Sequence, residues 1–147
     1  MAANALRREA LLDAAIAVLA ERGTRGLTFR AVDANAGNPV GTASNYFANR
    51  DELIAQVFEQ IGVRLAPDPD EVDRLSRRPP SKELFADYVR YIVTRLSAER
   101  AVTIALFELR LEASRNPRIA DLVQNWVSTG FAADVAFNDG AGLPGGR

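Results

Sequence analysis

The chain has no cysteine and no histidine. That excludes disulfides, cysteine–histidine zinc sites, thiol nucleophiles and imidazole general bases at once. No metal or other cofactor is implied. Lysine is almost absent as well: of 18 basic residues, only Lys82 is not arginine. That bias reads as a GC-rich coding sequence rather than as chemistry. Long apolar runs are missing, far short of the roughly 20 residues needed to cross a bilayer, and no secretory leader pattern is present. The expectation is therefore an intracellular, cytoplasmic protein. An excess of one charge sign is also lacking, since the net charge is −1. The distribution says more than the total. Residues 1–50 hold six Arg against four acidic residues, and residues 51–147 hold twelve basic against fifteen acidic residues. A mildly basic head on an acidic body is compatible with nucleic acid at the head, although so few charges steer weakly.

No segment alternates apolar and polar residues with period two, so strands are not expected and the fold class is all-α. Helical periodicity recurs along the chain instead. Leu12, Ile16 and Leu19, widened by Leu11, Ala15 and Val18, predict a first helix over 4–22, ended by Gly23 and Gly26. Thr28 caps a short second helix over 28–36 with Phe29, Val32 and Ala36 inward. Gly37 breaks it, and Pro39 suits the first turn of a third helix over 39–46. Asn49 with Glu52 resembles a capping box opening a fourth helix, 50–66, with Leu53, Val57 and Ile61 inward.

Residues 67–80, polar with proline at both ends, separate this series from the next, with a short helical piece near 70–77. A fifth helix, 81–97, has Leu84, Phe85, Tyr88, Val89, Ile92 and Leu96 inward. A sixth, 99–114, has Val102, Ala105, Leu106, Leu109 and Ala113 on one face, and a seventh runs over 117–138. Asp139 to Arg147 reads as loop. Gly140, Gly142 and Gly145 formally fit G-x-G-x-x-G, but a nucleotide loop needs a strand before it and a helix after it. Asp70 and Asp73 fall in the proline-flanked stretch, where nothing indicates the cleft that paired-carboxylate chemistry needs. An enzyme is not expected.

Residues 28–46 form a short helix, a glycine turn and a second short helix, the arrangement that lets one helix enter the DNA major groove while the other braces it. The groove admits a helix roughly 10–12 Å wide. Gly41 and Ala43 permit close approach. Thr42, Ser44 and Asn45 offer short donors and acceptors, the Tyr46 hydroxyl can reach a phosphate, and Arg50 can neutralise another.

The stretch from Arg8 to Ile61 resembles the amino-terminal DNA-binding domain of TetR-family regulators. The residues that carry the likeness are Ala36-Gly37-Asn38-Pro39-Val40-Gly41-Thr42-Ala43-Ser44-Asn45-Tyr46-Phe47, then Asn49-Arg50-Asp51-Glu52-Leu53. The resemblance implies a homeodomain-like helix-turn-helix domain over 1–50 and a helical effector-binding body over 51–147. It implies that Thr28 meets phosphate, that Val40, Gly41, Thr42, Ser44, Asn45 and Tyr46 face the groove, that Arg50 meets the backbone, and that Phe47 is buried. It further implies a repressor, released from palindromic double-stranded operator DNA by a small-molecule effector, with helix 50–66 transmitting the signal. Phe85, Tyr88, Phe107, Glu108, Arg110 and Trp126 are the effector-binding candidates.

Two positions depart from the family pattern. Asp33 stands where alanine is usual, and Asn38 where an apolar residue is usual. Either would cost about 1–3 kcal/mol if buried without a partner. Members of the family also continue with two helices that pair in a four-helix bundle across a homodimer. This chain stops in the loop where the first would begin, so the expected body is incomplete and its usual dimerisation helices are missing. The alternative function is a helical ligand-binding or protein-interaction module with a vestigial DNA reader.

Overall fold

The computed structural model describes residues 2–142 and contains helices and turns, with no strand among the described residues. Seven α-helices follow in order: α1 Ala2–Gly26, α2 Phe29–Asn35, α3 Arg50–Arg64, α4 Pro69–Ser76, α5 Lys82–Ala98, α6 Arg100–Ala113 and α7 Pro117–Gly140. A single 3₁₀ turn, Ala43–Asn45, lies between α2 and α3. Residues 143–147, which hold most of the expected tail loop and the last part of the glycine pattern, lie outside the described residues. Before them, α7 runs two residues further than expected, to Gly140.

Side-chain caps set most helix starts. Thr28, Asn49, Asp68, Ser81 and Asn116 each accept a hydrogen bond from the backbone N–H of the second or third residue of the following helix, satisfying donors that have no intrahelical partner. The Asn49 cap differs from a true capping box. Asn49 accepts from the Glu52 amide at 2.9 Å, but the Glu52 carboxylate accepts from the Ala48 amide, one residue earlier, at 2.8 Å. Within α1 the helical path is interrupted at Gly23, whose φ of 65° and ψ of −174° belong to a region that essentially only glycine occupies.

One core runs from the first helix to the seventh. Leu11, Leu12, Ile16 and Leu19 of α1, Val32 of α2, Phe47 ahead of α3, Leu53, Val57 and Ile61 of α3, Val102, Leu106 and Leu109 of α6, and Ile119 of α7 are buried in the same cluster. Each such side chain contributes about 1.5–3 kcal/mol by leaving water. The cluster does not stop at the boundary between the expected domains. The most extensive packing in the molecule is α1 against α6, which joins the reader half directly to the body. A small satellite core of Leu75, Leu84 and Tyr88 ties α4 to α5, with Phe137 of α7 packed against it.

The inward stripe read for the fifth helix is only half correct. Leu84 and Tyr88 are buried, but Phe85, Val89 and Ile92 remain about two-fifths exposed. The stripe on α5 is wider than the surface offered by α6 and the satellite core, so its outer edge lines an open cleft instead. No helix among the described residues is long and apolar enough to cross a membrane, and no cluster of Asp and Glu among them could hold a metal ion.

Candidate DNA-reading face and effector cleft

The segment expected to form the third helix, 39–46, is not an α-helix. It is a chain of tight turns around the 3₁₀ residues 43–45. The Thr42 amide donates to Pro39 O at 3.2 Å, Asn45 N to Thr42 O at 3.0 Å, and Tyr46 N and Phe47 N to Ala43 O at 3.0 Å each. Gly41, at φ 97°, occupies the left-handed side of backbone space and prevents a continuous helix here.

The Asp33 carboxylate is what holds these turns. It is 1% exposed and accepts from the Gly41 amide through Oδ2 and from the Ala43 amide through Oδ1, each at 2.7 Å. The Asp33 carbonyl also accepts from the Asn38 amide at 2.8 Å. The expected penalty at Asp33 therefore does not arise, because both oxygens have backbone donors. Asn38 is only half-buried, so its amide escapes the penalty too. Ala43, fully buried, leaves room for the carboxylate beside it. The clamp was invisible in the sequence because its partners are backbone amides eight and ten residues away.

Phe47 anchors the far end of the turn at 1% exposure. Tyr46 is half-buried, and its ring packs against the core rather than standing clear of it. The Arg8 guanidinium sits 5.8 Å from the Tyr46 ring centre and 5.4 Å from that of Phe47, while Arg8 Nη1 donates to Gln56 Oε1 at 2.6 Å. Arg8 thus steadies both aromatics from α1, a role that sequence spacing did not reveal.

Outward from this frame, Val40 is 78% exposed. Ser44, Asn45 and the capping residue Thr28 are exposed, and Gly41 and Thr42 half-exposed. Arg50 makes two hydrogen bonds within the protein. Its Nε donates to Leu27 O at 3.2 Å and its Nη2 to Thr24 O at 2.6 Å, covering carbonyls at the end of α1. It shares a shallow cleft with Arg25, Thr28 and Phe29.

In the body, the structure brings together two of the six effector candidates. Phe85 and Tyr88 line a cleft of about 440 Å³ with Ile92, Arg95, Asp134 and Phe137. Tyr88 meets Phe137 edge-on, with ring centres 4.8 Å apart. The Tyr88 hydroxyl and the Arg95 Nε are buried without a protein hydrogen-bond partner. Burial pushes the Tyr88 phenol above its ordinary value, with Arg78 opposing.

The other four candidates lie elsewhere. Trp126 packs edge-on against Phe58 of α3 at 5.8 Å. Phe107 and Arg110 are exposed on α6. Glu108 faces α1, close enough that a Cβ added at Gly23 would lie 2.9 Å from its Oε2. All four sit on α6 or α7 outside the cleft lining, and helical spacing alone could not sort them from the cleft residues.

Reader and body are stitched together at several points. The Thr24 hydroxyl donates to Glu112 Oε2 at 3.0 Å, joining α1 to α6. Arg118 of α7 pairs with Asp51 of α3. Arg64 of α3 bridges Asp13 of α1 at 2.9 Å and Glu99 before α6 at 2.5 Å.

Comparison with known proteins covers both halves of this arrangement. Residues 11–57 match the family model described as bacterial regulatory proteins, tetR family. Residues 80–147 match the model described as the tetracyclin repressor-like C-terminal domain. Among curated protein sequences no relative matches. Among solved structures, the chain is similar to multidrug binding protein EbrR complexed with imidazole, with a TM-score of 0.67 and 28% identity over 91% of this chain and 72% of that one. The same protein complexed with proflavin aligns with a TM-score of 0.57 and 27% identity over 91% of this chain and 78% of that one. A transcriptional regulator from Rhodococcus sp. Rha1 shares the fold, with a TM-score of 0.62 and 20% identity over 90% and 70% of the two chains. With its helix-turn-helix half and its helical C-terminal half each matched to the same family, the chain belongs to the TetR family of DNA-binding transcriptional regulators and is not an enzyme.

Proposed function

We propose that this regulator is a cytoplasmic repressor, with residues 1–50 reading a palindromic operator and residues 51–147 answering a small-molecule effector. The observation that carries the reading is the polar turn from Val40 to Tyr46. It is exposed at Val40, Ser44 and Asn45, yet fixed at both ends by the Asp33 clamp and the buried Phe47. A recognition surface pre-set in this way spends little ordering entropy on binding.

Val40, Gly41, Thr42, Ser44, Asn45 and Tyr46 enter the major groove, and Thr28 meets a phosphate beside it. Arg50 serves by holding the end of α1 against Thr28 and approaches the backbone through that cleft. Two copies of the reader, about 34–36 Å apart in a homodimer, fit successive major grooves.

The effector enters the cleft of Phe85, Tyr88, Ile92, Arg95, Asp134 and Phe137. Aromatic walls favour a flat apolar molecule, and the unpartnered Tyr88 hydroxyl offers it a hydrogen bond. The likeness to a multidrug binding protein complexed with imidazole and with proflavin supports a ligand of this kind. Displacing α7 pulls on the Arg118–Asp51 pair and on α6, whose Glu112 holds Thr24 at the kink of α1. The readers then leave register and release DNA, a two-state change.

Fluorescence anisotropy on palindromic duplexes at two salt concentrations tests the reading. Specific binding should weaken steeply as salt rises, and a cleft ligand should release the complex. A chain that binds no duplex at low salt is not a repressor.

A further inference from the structure

The hydrogen-bonding inventory of the reading turn selects among base pairs. Between Ala31 and Asn49 the chain has neither Lys nor Arg. The flanking Arg50 has two donors committed to the carbonyls of Thr24 and Leu27. Guanine shows two acceptors, N7 and O6, to the major groove and is best met by the paired donors of Arg or by Lys. No such cation stands on this turn.

The Thr42 and Ser44 hydroxyls do not fill that gap. Thr42 Oγ1 donates to Pro39 O at 2.7 Å, and Ser44 Oγ donates to Gly41 O at 2.8 Å. Each hydroxyl hydrogen is used inside the turn, so toward a base each oxygen can serve only as an acceptor. Asn49 is occupied in capping α3, and Asn38 is half-buried. Two outward groups remain with a distinct base preference. The exposed Asn45 amide carries an adjacent donor and acceptor, the complement of adenine N7 and N6. The Val40 methyls, 78% exposed, suit the 5-methyl group of thymine.

We infer that the turn reads A·T pairs within each operator half-site, Asn45 engaging an adenine edge and Val40 a thymine methyl. This rests on the DNA-reading face proposed above.

In vitro selection of the full chain against randomised duplexes tests it. The enriched half-site should carry A·T pairs at its most constrained positions. Asn45→Arg should change one preferred base from adenine to guanine. Asn45→Ala should lose the preference there, roughly 5- to 100-fold. Replacing the contacted thymine by uracil should weaken wild-type binding about 3- to 5-fold and leave Val40→Ala unaffected. Both side chains are exposed, so circular dichroism should be unchanged in these variants. An enriched half-site centred on guanine and indifferent to Asn45→Ala overturns the inference while leaving DNA reading intact. Arg30 lies exposed on α2, just before the turn; if Arg30→Ala abolishes that guanine preference, α2 is the reader. Selection that enriches no sequence removes the DNA-reading face and this inference with it.

Discussion

Asp33 Oδ1 accepts the Ala43 amide hydrogen at 2.7 Å with both residues buried, so a side chain of the brace helix α2 holds the reading turn. The bond is charge-assisted, and its partner Oδ2 makes an equal one to Gly41. Asp33→Ala strands two amides and should cost about 2–4 kcal/mol of unfolding free energy, taking about 1–3 kcal/mol for each orphaned group and allowing for partial rehydration. Asp33→Asn keeps one acceptor and should fall between Ala and wild type. Urea denaturation checks the order. Equal stability of all three would mean that the turn holds its shape without the clamp.

Tyr46 packs its ring against the core, and its hydroxyl is the group proposed to meet DNA; two substitutions separate these roles. Tyr46→Phe keeps the ring against the core and under Arg8, so the melting temperature should stay within a few degrees while DNA affinity falls. Tyr46→Ala removes a half-buried ring and should lose roughly 1–3 kcal/mol, less than a fully buried aromatic costs. Thermal melts alongside DNA titrations distinguish the outcomes. Unchanged affinity in Tyr46→Phe would remove the hydroxyl from the reading face.

Gly23 has a backbone that other residues resist. Because ψ is −174°, the position lies outside the left-handed helical well that asparagine tolerates. Gly23→Ala and Gly23→Asn should therefore be similarly destabilising, by about 1–3 kcal/mol, and the new Cβ must also push Glu108 aside. Recovery in the asparagine variant alone would show that the kink relaxes to ordinary left-handed geometry.

The Tyr88 hydroxyl gains no protein hydrogen bond in return for its burial. Tyr88→Phe should leave stability unchanged or slightly raised. It should weaken any cleft ligand that uses the hydroxyl, which isothermal titration with aromatic ligands would register. A clear loss of stability would mean that the hydroxyl has a partner after all.

Asp87 sits between Arg78, at 2.6 Å, and Arg90, and hydrogen bonds from these two guanidiniums hold its carboxyl below the usual carboxylate value. A lowered folded-state pKa adds stability above the unfolded value, and that gain is lost as pH falls through the folded one. Asp87→Asn should thus melt slightly lower than wild type at neutral pH. The gap should close below about pH 4, the ordinary aspartate range. Melting curves across that interval decide it, and a gap that persists in acid would assign the effect to packing. The carboxylate is half-exposed, so water screens the pairs and the effect on stability should be small.

Local chemistry made the helices legible in the sequence. The apolar spacing of Leu12, Ile16 and Leu19 marked α1, and the caps Thr28, Asn49, Ser81 and Asn116 marked four helix starts, because periodicity and capping act over three or four residues. The motif from Ala36 to Leu53 was equally readable, since its glycines and short polar side chains sit close together in the chain. Gly41 permits residues 39–46 to turn rather than coil into a helix, but tertiary structure fixed those turns, because the carboxylate that captures their amides comes from a neighbouring helix. It also decided that Phe85 and Tyr88 share a cleft while Phe107, Glu108, Arg110 and Trp126 do not. Helical spacing gives each residue a direction on its own helix, but which direction meets a partner depends on how separate helices pack, and that is set by the whole core at once.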